Sequence, residues 1–241
     1  MNALLTVPRR FDRRFYLGAG LVALGLVFWG FAHTYYLKLI FGTPALSARL
    51  HIHGAVMSSW LVLFVAQACL ISARRTDLHR RLGIIGVFVA TGVVLVGSSA
   101  TISAAAREVG RHSAEANARV TVLGLELVQM ALFAGLVAAA IAMRRRPDYH
   151  KRLMLLATAC MMPSAFSRIP LDLTFMVSNF ASILILFNVF VMVCALIDTV
   201  RNRRLHPAFG WGGVIVIGAL NLAYLIAISP AWLRFGVWLV S

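Results

Sequence analysis

The chain has 241 residues, of which 61% are hydrophobic and only 13% charged, and its formal net charge is +15. Soluble domains carry about a quarter charged residues, and a soluble fold of this length has too small a core to hide so much apolar surface. A soluble domain is therefore excluded, and so is a nucleic-acid binder, because the basic residues form short clusters between apolar runs rather than one face.

A hydrocarbon layer of roughly 30 Å needs about 20 apolar residues per helix, and the chain supplies that length repeatedly. Residues 1–14 form a basic segment. Arg13-Arg14-Phe15-Tyr16-Leu17 echoes a twin-arginine signal, but the apolar run behind it exceeds the roughly 7–15 residues of a signal peptide, so an uncleaved first helix is expected. That run covers 15–41, broken only by His33 and Lys38, and Gly42-Thr43-Pro44 turns the chain. The second run covers 50–72 and the third 82–106, followed by a mixed-charge loop at 107–119; the fourth, 120–143, holds one acid, Glu126.

The fifth run starts after Arg152 and is short, meeting Arg168 after fifteen uncharged residues. The sixth covers 175–197 and the seventh 206–229, leaving an apolar tail at 231–241 suited to the membrane interface through Trp232 and Trp238. Glycines are dense in runs one, three and seven, which favours close helix approach in lipid. The expected fold is all-α: a polytopic transmembrane bundle of about seven helices over 15–230, flanked by the basic segment and the tail.

The basic residues orient it. Arg9-Arg10…Arg13-Arg14, Arg74-Arg75…Arg80-Arg81, Arg144-Arg145-Arg146…Lys151-Arg152 and Arg201…Arg203-Arg204 hold 16 of the 23 Lys/Arg, one cluster at every second connection. Positive-inside bias then puts the N-terminus in the cytoplasm and the C-terminus outside.

Two of these clusters repeat a pattern. Asp77-Leu78-His79-Arg80-Arg81-Leu82 resembles Asp148-Tyr149-His150-Lys151-Arg152-Leu153, and Arg204-Leu205-His206-Pro207 is a degenerate third copy. Three histidines at one membrane face suggest haem ligation. Asp77 and Asp148 are well placed as N-caps, however, and the cations after each histidine must reach headgroups or water. Asp77, His79, Asp148, His150 and His206 therefore read as cytoplasmic anchors. Cys69, Cys160 and Cys194 lie in apolar runs without metal-type spacing, and Met161-Met162 reads as packing.

Ionisable groups inside a membrane need a reason. Glu126 lies about 10 Å and Arg168 about 6 Å below the outer edge by helical rise, so the two can pair, with Asp172 competing for Arg168. His53 joins this layer, on a stripe with Met57, Trp60, Phe64 and Gln67. His51 points about 200° away from it round the helix, and His33 lies near the outer end of the first run. The alternative is that Glu126 and Arg168 stabilise the bundle and His53 bonds a carbonyl. Gln67, Gln129, Asn188 and Asn221 read as interhelical hydrogen-bonding groups.

The order Tyr35-Tyr36-Leu37, Phe41-Gly42-Thr43-Pro44, His51-Ile52-His53-Gly54, Asp77-Leu78-His79-Arg80-Arg81-Leu82-Gly83, His150-Lys151-Arg152-Leu153-Met154 and Arg204-Leu205-His206-Pro207 resembles a family of uncharacterised bacterial multi-pass inner-membrane proteins. That resemblance implies residence in the bacterial inner membrane and no particular reaction. A fainter likeness to membrane haem proteins rests on histidines near helix ends alone.

The seventh run has no lysine for a retinal Schiff base, and the chain lacks a phosphate-binding glycine loop and H-E-x-x-H. The expected function is non-catalytic: a transporter, sensor or assembly-type protein with a buried polar set (His53, Glu126, Arg168, Gln67) in the outer leaflet. The alternative is a membrane redox protein holding haem b or a metal ion on His53, with His33 or His51. Expected partners are the lipid bilayer and a membrane protein or a second copy of the chain, and no nucleic acid.

Overall fold

The computed structural model describes residues 10–169 and 180–241, and the described residues are helical with no strand. In chain order they form α1 (Arg10–Phe31, continuing as a π-helical turn, Ala32–Tyr36), α2 (Ala48–Ser72), α3 (Thr76–Gly110), α4 (Ala116–Ala142), α5 (Pro147–Ala159), α6 (Met162–Phe166), α7 (Phe180–Asn202), α8 (Pro207–Ala227) and α9 (Pro230–Val240). Six of these elements are long and apolar enough to cross a membrane: Arg13–Tyr36, Ala48–Ser72, Thr76–Gly110, Ala116–Ala142, Phe180–Asn202 and Pro207–Ala227. They support a multi-pass membrane protein. Large apolar side chains such as Phe88, Leu95, Met192, Trp211 and Leu225 face outward along them, a surface that water would penalise and lipid covers.

The fifth apolar run behaves differently. Its helix, α5, has only 13 residues, and the chain turns at Cys160 and Met161 before the five-residue α6. Every residue from Leu155 to Met162 is buried. α5 packs on α1, α4, α7 and α8, and Trp60 of α2 donates its indole N–H to the Thr158 hydroxyl at 3.3 Å. A break in a helix leaves backbone groups that hydrocarbon cannot satisfy, and protein enclosure is what makes one tolerable at membrane depth. α5 is thus enclosed within the bundle by α1, α4, α7 and α8, with Trp60 of α2 reaching it.

Helix ends bring the described parts of the four basic clusters to one pole. The Ser72 hydroxyl at the end of α2 donates to the Arg13 carbonyl of α1 (3.3 Å), Tyr16 of α1 reaches Asp198 of α7, and Asp148 of α5 meets His206 before α8. Arg74 and Arg203 take left-handed backbone conformations (φ 60° and 54°) just past α2 and α7. Glycine usually fills that position; arginine bears some strain there but puts positive charge at a helix C-terminus, where the dipole favours it.

Close approach closes the opposite pole. A Cβ on Gly30 would lie 2.5 Å from the Ala165 carbonyl oxygen of α6, and one on Gly124 would lie 2.8 Å from the Trp232 ring. The predicted 231–241 tail is the helix α9, which rests on α3 and α4 and is held by a 2.9 Å bond from the Trp232 indole N–H to the Val120 carbonyl. The Gly42 turn follows the prediction, with φ +62°. α3 runs on to Gly110, so the expected loop at 107–119 is mostly helix.

Candidate functional site

Two polar sets lie at opposite poles. At the basic pole, Arg152 sits in the second turn of α5 and is 3% exposed, while Asp198, in the last turns of α7, is 1% exposed. The Arg152 Nε donates to Asp198 Oδ2 and Nη2 donates to Oδ1, both at 2.9 Å. The Tyr16 hydroxyl adds a third bond to Oδ1 (3.1 Å), and Arg152 Nη1 donates to the Asp148 carbonyl (2.7 Å). A buried carboxylate stays charged only when its lone pairs are met this fully.

Beside this network, His206 is the N-cap of α8: its Nδ1 accepts the Ala208 backbone N–H at 3.1 Å. With the Nδ1 lone pair so used, Nε2 carries the proton and donates to Asp148 Oδ2, also at 3.1 Å. Burial pushes the His206 ring below its ordinary value, against the raising effect of the Asp148 hydrogen bond. Burial opposes ionisation of Asp148 in turn, but the His206 bond and charge together with backbone N–H donors of the first turn outweigh it and hold this carboxyl below the usual range. The Tyr149 ring centre lies 4.7 Å from that of His206, and the Arg146 guanidinium sits over the Tyr149 ring, 4.3 Å from its centre. The remaining two histidines of the repeat meet each other: the His79 and His150 ring centroids are 6.3 Å apart.

The sequence expectation for this pole changes in two respects. Asp77 and Asp148 are not N-caps, since Arg75 and Arg146 hold those positions without a side-chain cap bond. The acids sit two residues further in, where the helix dipole still favours them, and Asp148 is drawn to His206 instead. Arg152, expected at headgroups or water, is turned into the bundle because Asp198 is there to receive it. Asp77 remains exposed, 3.8 Å from Arg75.

At the opposite pole, α2 begins at Ala48, before both of its histidines, so His51 and His53 point apart. His51 is exposed, its ring centroid 6.0 Å from that of Tyr35. His53 is half-buried against the Val96 backbone of α3, within electrostatic reach of Glu126 and Arg168, and its Nδ1 is enclosed without a hydrogen-bond partner. His53 of α2 thus interacts through space with Glu126 of α4 and with Arg168, which follows α6.

Glu126 and Arg168 interact through space but form no ion pair among the described residues. The Arg168 guanidinium instead donates to the Ser164 carbonyl (2.6 Å) and the Ser167 hydroxyl (3.1 Å), and lies 4.7 Å from the centre of the Phe31 ring. Asp172, the competing partner, lies outside the described residues.

Other predicted members stay apart. His33 is exposed, stacked 3.6 Å from Phe41 on the π-helical turn, and no ring contact joins it or His51 to His53 among the described residues. Gln67 is fourteen residues from His53 along α2, about 21 Å at helical rise, and faces Gly83 of α3 nearer the basic pole. The same π-helical turn presents Tyr36 to Ser58, their hydroxyls 2.6 Å apart. Asn188 and Asn221 exchange side-chain amide bonds between α7 and α8 at 3.1 and 3.4 Å, as interhelical groups.

Sequence reasoning missed Asp198 and Tyr16. The signal for Asp198 was present: an acid near a helix C-terminus faces the unfavourable end of the dipole and so calls for a cationic partner. Tyr16 looked like part of a signal-like stretch, and nothing local marks it as a donor to a carboxylate 182 residues away. Among the described residues, no group of three or more His, Cys, Asp or Glu is disposed to hold a metal ion.

Comparison of the chain with family models, with curated proteins and with solved structures finds no match in any of the three.

Proposed function

We propose that the chain is a bacterial inner-membrane protein of seven passages, with the N-terminus and the basic pole in the cytoplasm and the C-terminus outside, and that it is a non-catalytic carrier of a small polar solute. α5 and α6 supply the seventh passage: their 18 residues amount to about 27 Å at helical rise, close to the hydrocarbon thickness of roughly 30 Å. The basic clusters support the orientation through positive-inside bias, and the sequence resemblance supports the bacterial inner membrane.

One observation carries the solute reading. His53 lies within electrostatic reach of Glu126 and Arg168, yet among the described residues Glu126 has no ion-pair partner and His53 Nδ1 no hydrogen bond. Purely structural groups at membrane depth are paired. A carboxylate without an ion-pair partner and an imidazole whose Nδ1 is unmet suit a solute with N–H or O–H donors, and Arg168 near them suits one that also offers an acceptor.

Proteoliposomes test this. Uptake of small polar probes such as amino alcohols and polyols should exceed that of empty liposomes and fall at least tenfold in Glu126→Gln and His53→Ala. Equal flux in empty, wild-type and variant vesicles would reject the carrier. The second reading, haem or a metal on His53, draws on the same unpartnered Nδ1. It requires reduced-minus-oxidised absorption bands or stoichiometric metal that disappear in His53→Ala.

A further inference from the structure

We propose a second site, at the basic pole, where His79, through its unpartnered Nδ1, and His150, through Nε2, hold one transition-metal ion between their rings. The site is independent of the His53 set, since it uses the first turns of α3 and α5.

Ring orientation is the first support. His150 Nδ1 lies 2.8 Å from the Ala140 carbonyl of α4, a contact that only a protonated Nδ1 can make as a donor. That bond selects the tautomer with a free lone pair on Nε2 and fixes the ring, as a backbone carbonyl behind a ligand histidine does. Among the described residues the His79 Nδ1 is enclosed and unpartnered. One turn deeper, the buried Gln67 Oε1 is unpartnered too, and its amide faces Gly83, where even an added Cβ would meet only Gln67 Nε2 at 3.8 Å. Unsatisfied buried polar atoms clustered at one spot call for a water, an ion or a ligand.

Spacing is the second. Metal–imidazole bonds of about 2.0 Å put two ring centroids roughly 6 Å apart when the rings lie on opposite sides of one ion, and about 5 Å apart at a tetrahedral angle. The 6.3 Å separation and 85° interplanar angle fit opposed, mutually perpendicular rings. Among the described residues no third His, Cys, Asp or Glu joins the pair, which excludes a closed four-ligand zinc site built from them. The two histidines suit an ion satisfied by two opposed imidazoles, either linear copper(I) or iron whose other four positions are filled by a porphyrin. The shared chemistry is bis-imidazole ligation, and the two sources are separable by experiment.

Purified protein in detergent is titrated with copper(I) buffered by a competing chelator and, separately, with haemin. One equivalent of either should bind, with at least tenfold weaker binding in His79→Ala and in His150→Ala and no change in His53→Ala or His33→Ala. A Soret band of low-spin type identifies the haemin arm; a colourless one-to-one complex identifies the copper arm. Helix content by circular dichroism checks folding. In the wild-type protein, diethylpyrocarbonate modification of His79 and His150 should slow when the ion is bound while that of exposed His33 does not. Binding of neither probe, binding that survives both basic-pole substitutions, or binding lost only in His53→Ala would overturn the proposal.

Discussion

Asp198 receives two parallel hydrogen bonds of 2.9 Å from the Arg152 guanidinium, joining the end of α7 to the start of α5. Neither residue could sit where it does alone. Removing one partner of a buried pair strands the other charge, at a cost of about 3–5 kcal/mol, whereas replacing both with apolar groups is often mild. Asp198→Asn and Arg152→Met should therefore each destabilise strongly in reversible detergent unfolding, and the double variant Arg152→Met/Asp198→Leu should be more stable than either. Additive losses would contradict the pair.

Glu126 and Arg168 should behave oppositely. With no direct ion pair between them, Glu126→Gln and Arg168→Gln should add to within about 0.5 kcal/mol in the same assay, as separate sites do. A double variant more stable than both singles would show that they do pair.

The His206 cap predicts a pH dependence. Burial holds this ring below its ordinary value of 6.5 in the folded protein, with the Asp148 bond opposing and the Arg152 charge reinforcing the shift. The unfolded chain then binds the extra proton more readily, so this contribution to stability is complete above 6.5 and declines as pH falls below it. Protonation at Nδ1 also removes the acceptor for Ala208 N–H. Asp148, depressed below 3.8, remains ionised throughout. The melting temperature should fall between pH 7.5 and 5.5, and His206→Asn, which keeps a capping side chain but cannot titrate, should reduce that fall. An unchanged pH profile in the variant would remove His206 as its source.

Two glycines of α1 should separate packing from helix propensity. Gly30→Ala drives a methyl into the Ala165 carbonyl and should cost about 1–3 kcal/mol as overpacking. Gly25 meets nothing within 4 Å, and Gly25→Ala should be neutral or gain up to about 1 kcal/mol of helix stability. Similar losses at both would mean that α1 and α6 are not packed as described.

The sequence made the six long helices legible because twenty apolar residues in a row have few other uses, and the grouping of arginines at alternate connections matches the pole they share. α5 was harder to read. Its residues are apolar enough to suggest a lipid-facing span, but their burial comes from neighbours that local sequence does not reveal. The Asp-x-His repeat suggested anchoring because its spacing resembles a helix start; what each copy does depends on the opposing helix. Asp148 meets His206 and Arg152 meets Asp198, whereas the equivalent Asp77, among the described residues, is exposed beside Arg75. The convergence of His53, Glu126 and Arg168 could be estimated from helical rise and antiparallel order, because depth is additive along helices. Their failure to pair could not, because it depends on the short-range claims of Ser164 and Ser167 on Arg168.

The number of crossings tests the account most directly, because α5 and α6 either complete a passage or return the chain to the face it left. Activity reporters that work on only one side of the inner membrane, fused in turn to the N-terminus and to the C-terminus after α9, read this out. Seven passages predict a cytoplasmic N-terminus and a periplasmic C-terminus. Both termini on one side would reduce the crossings to an even number and contradict α5 as an enclosed membrane passage.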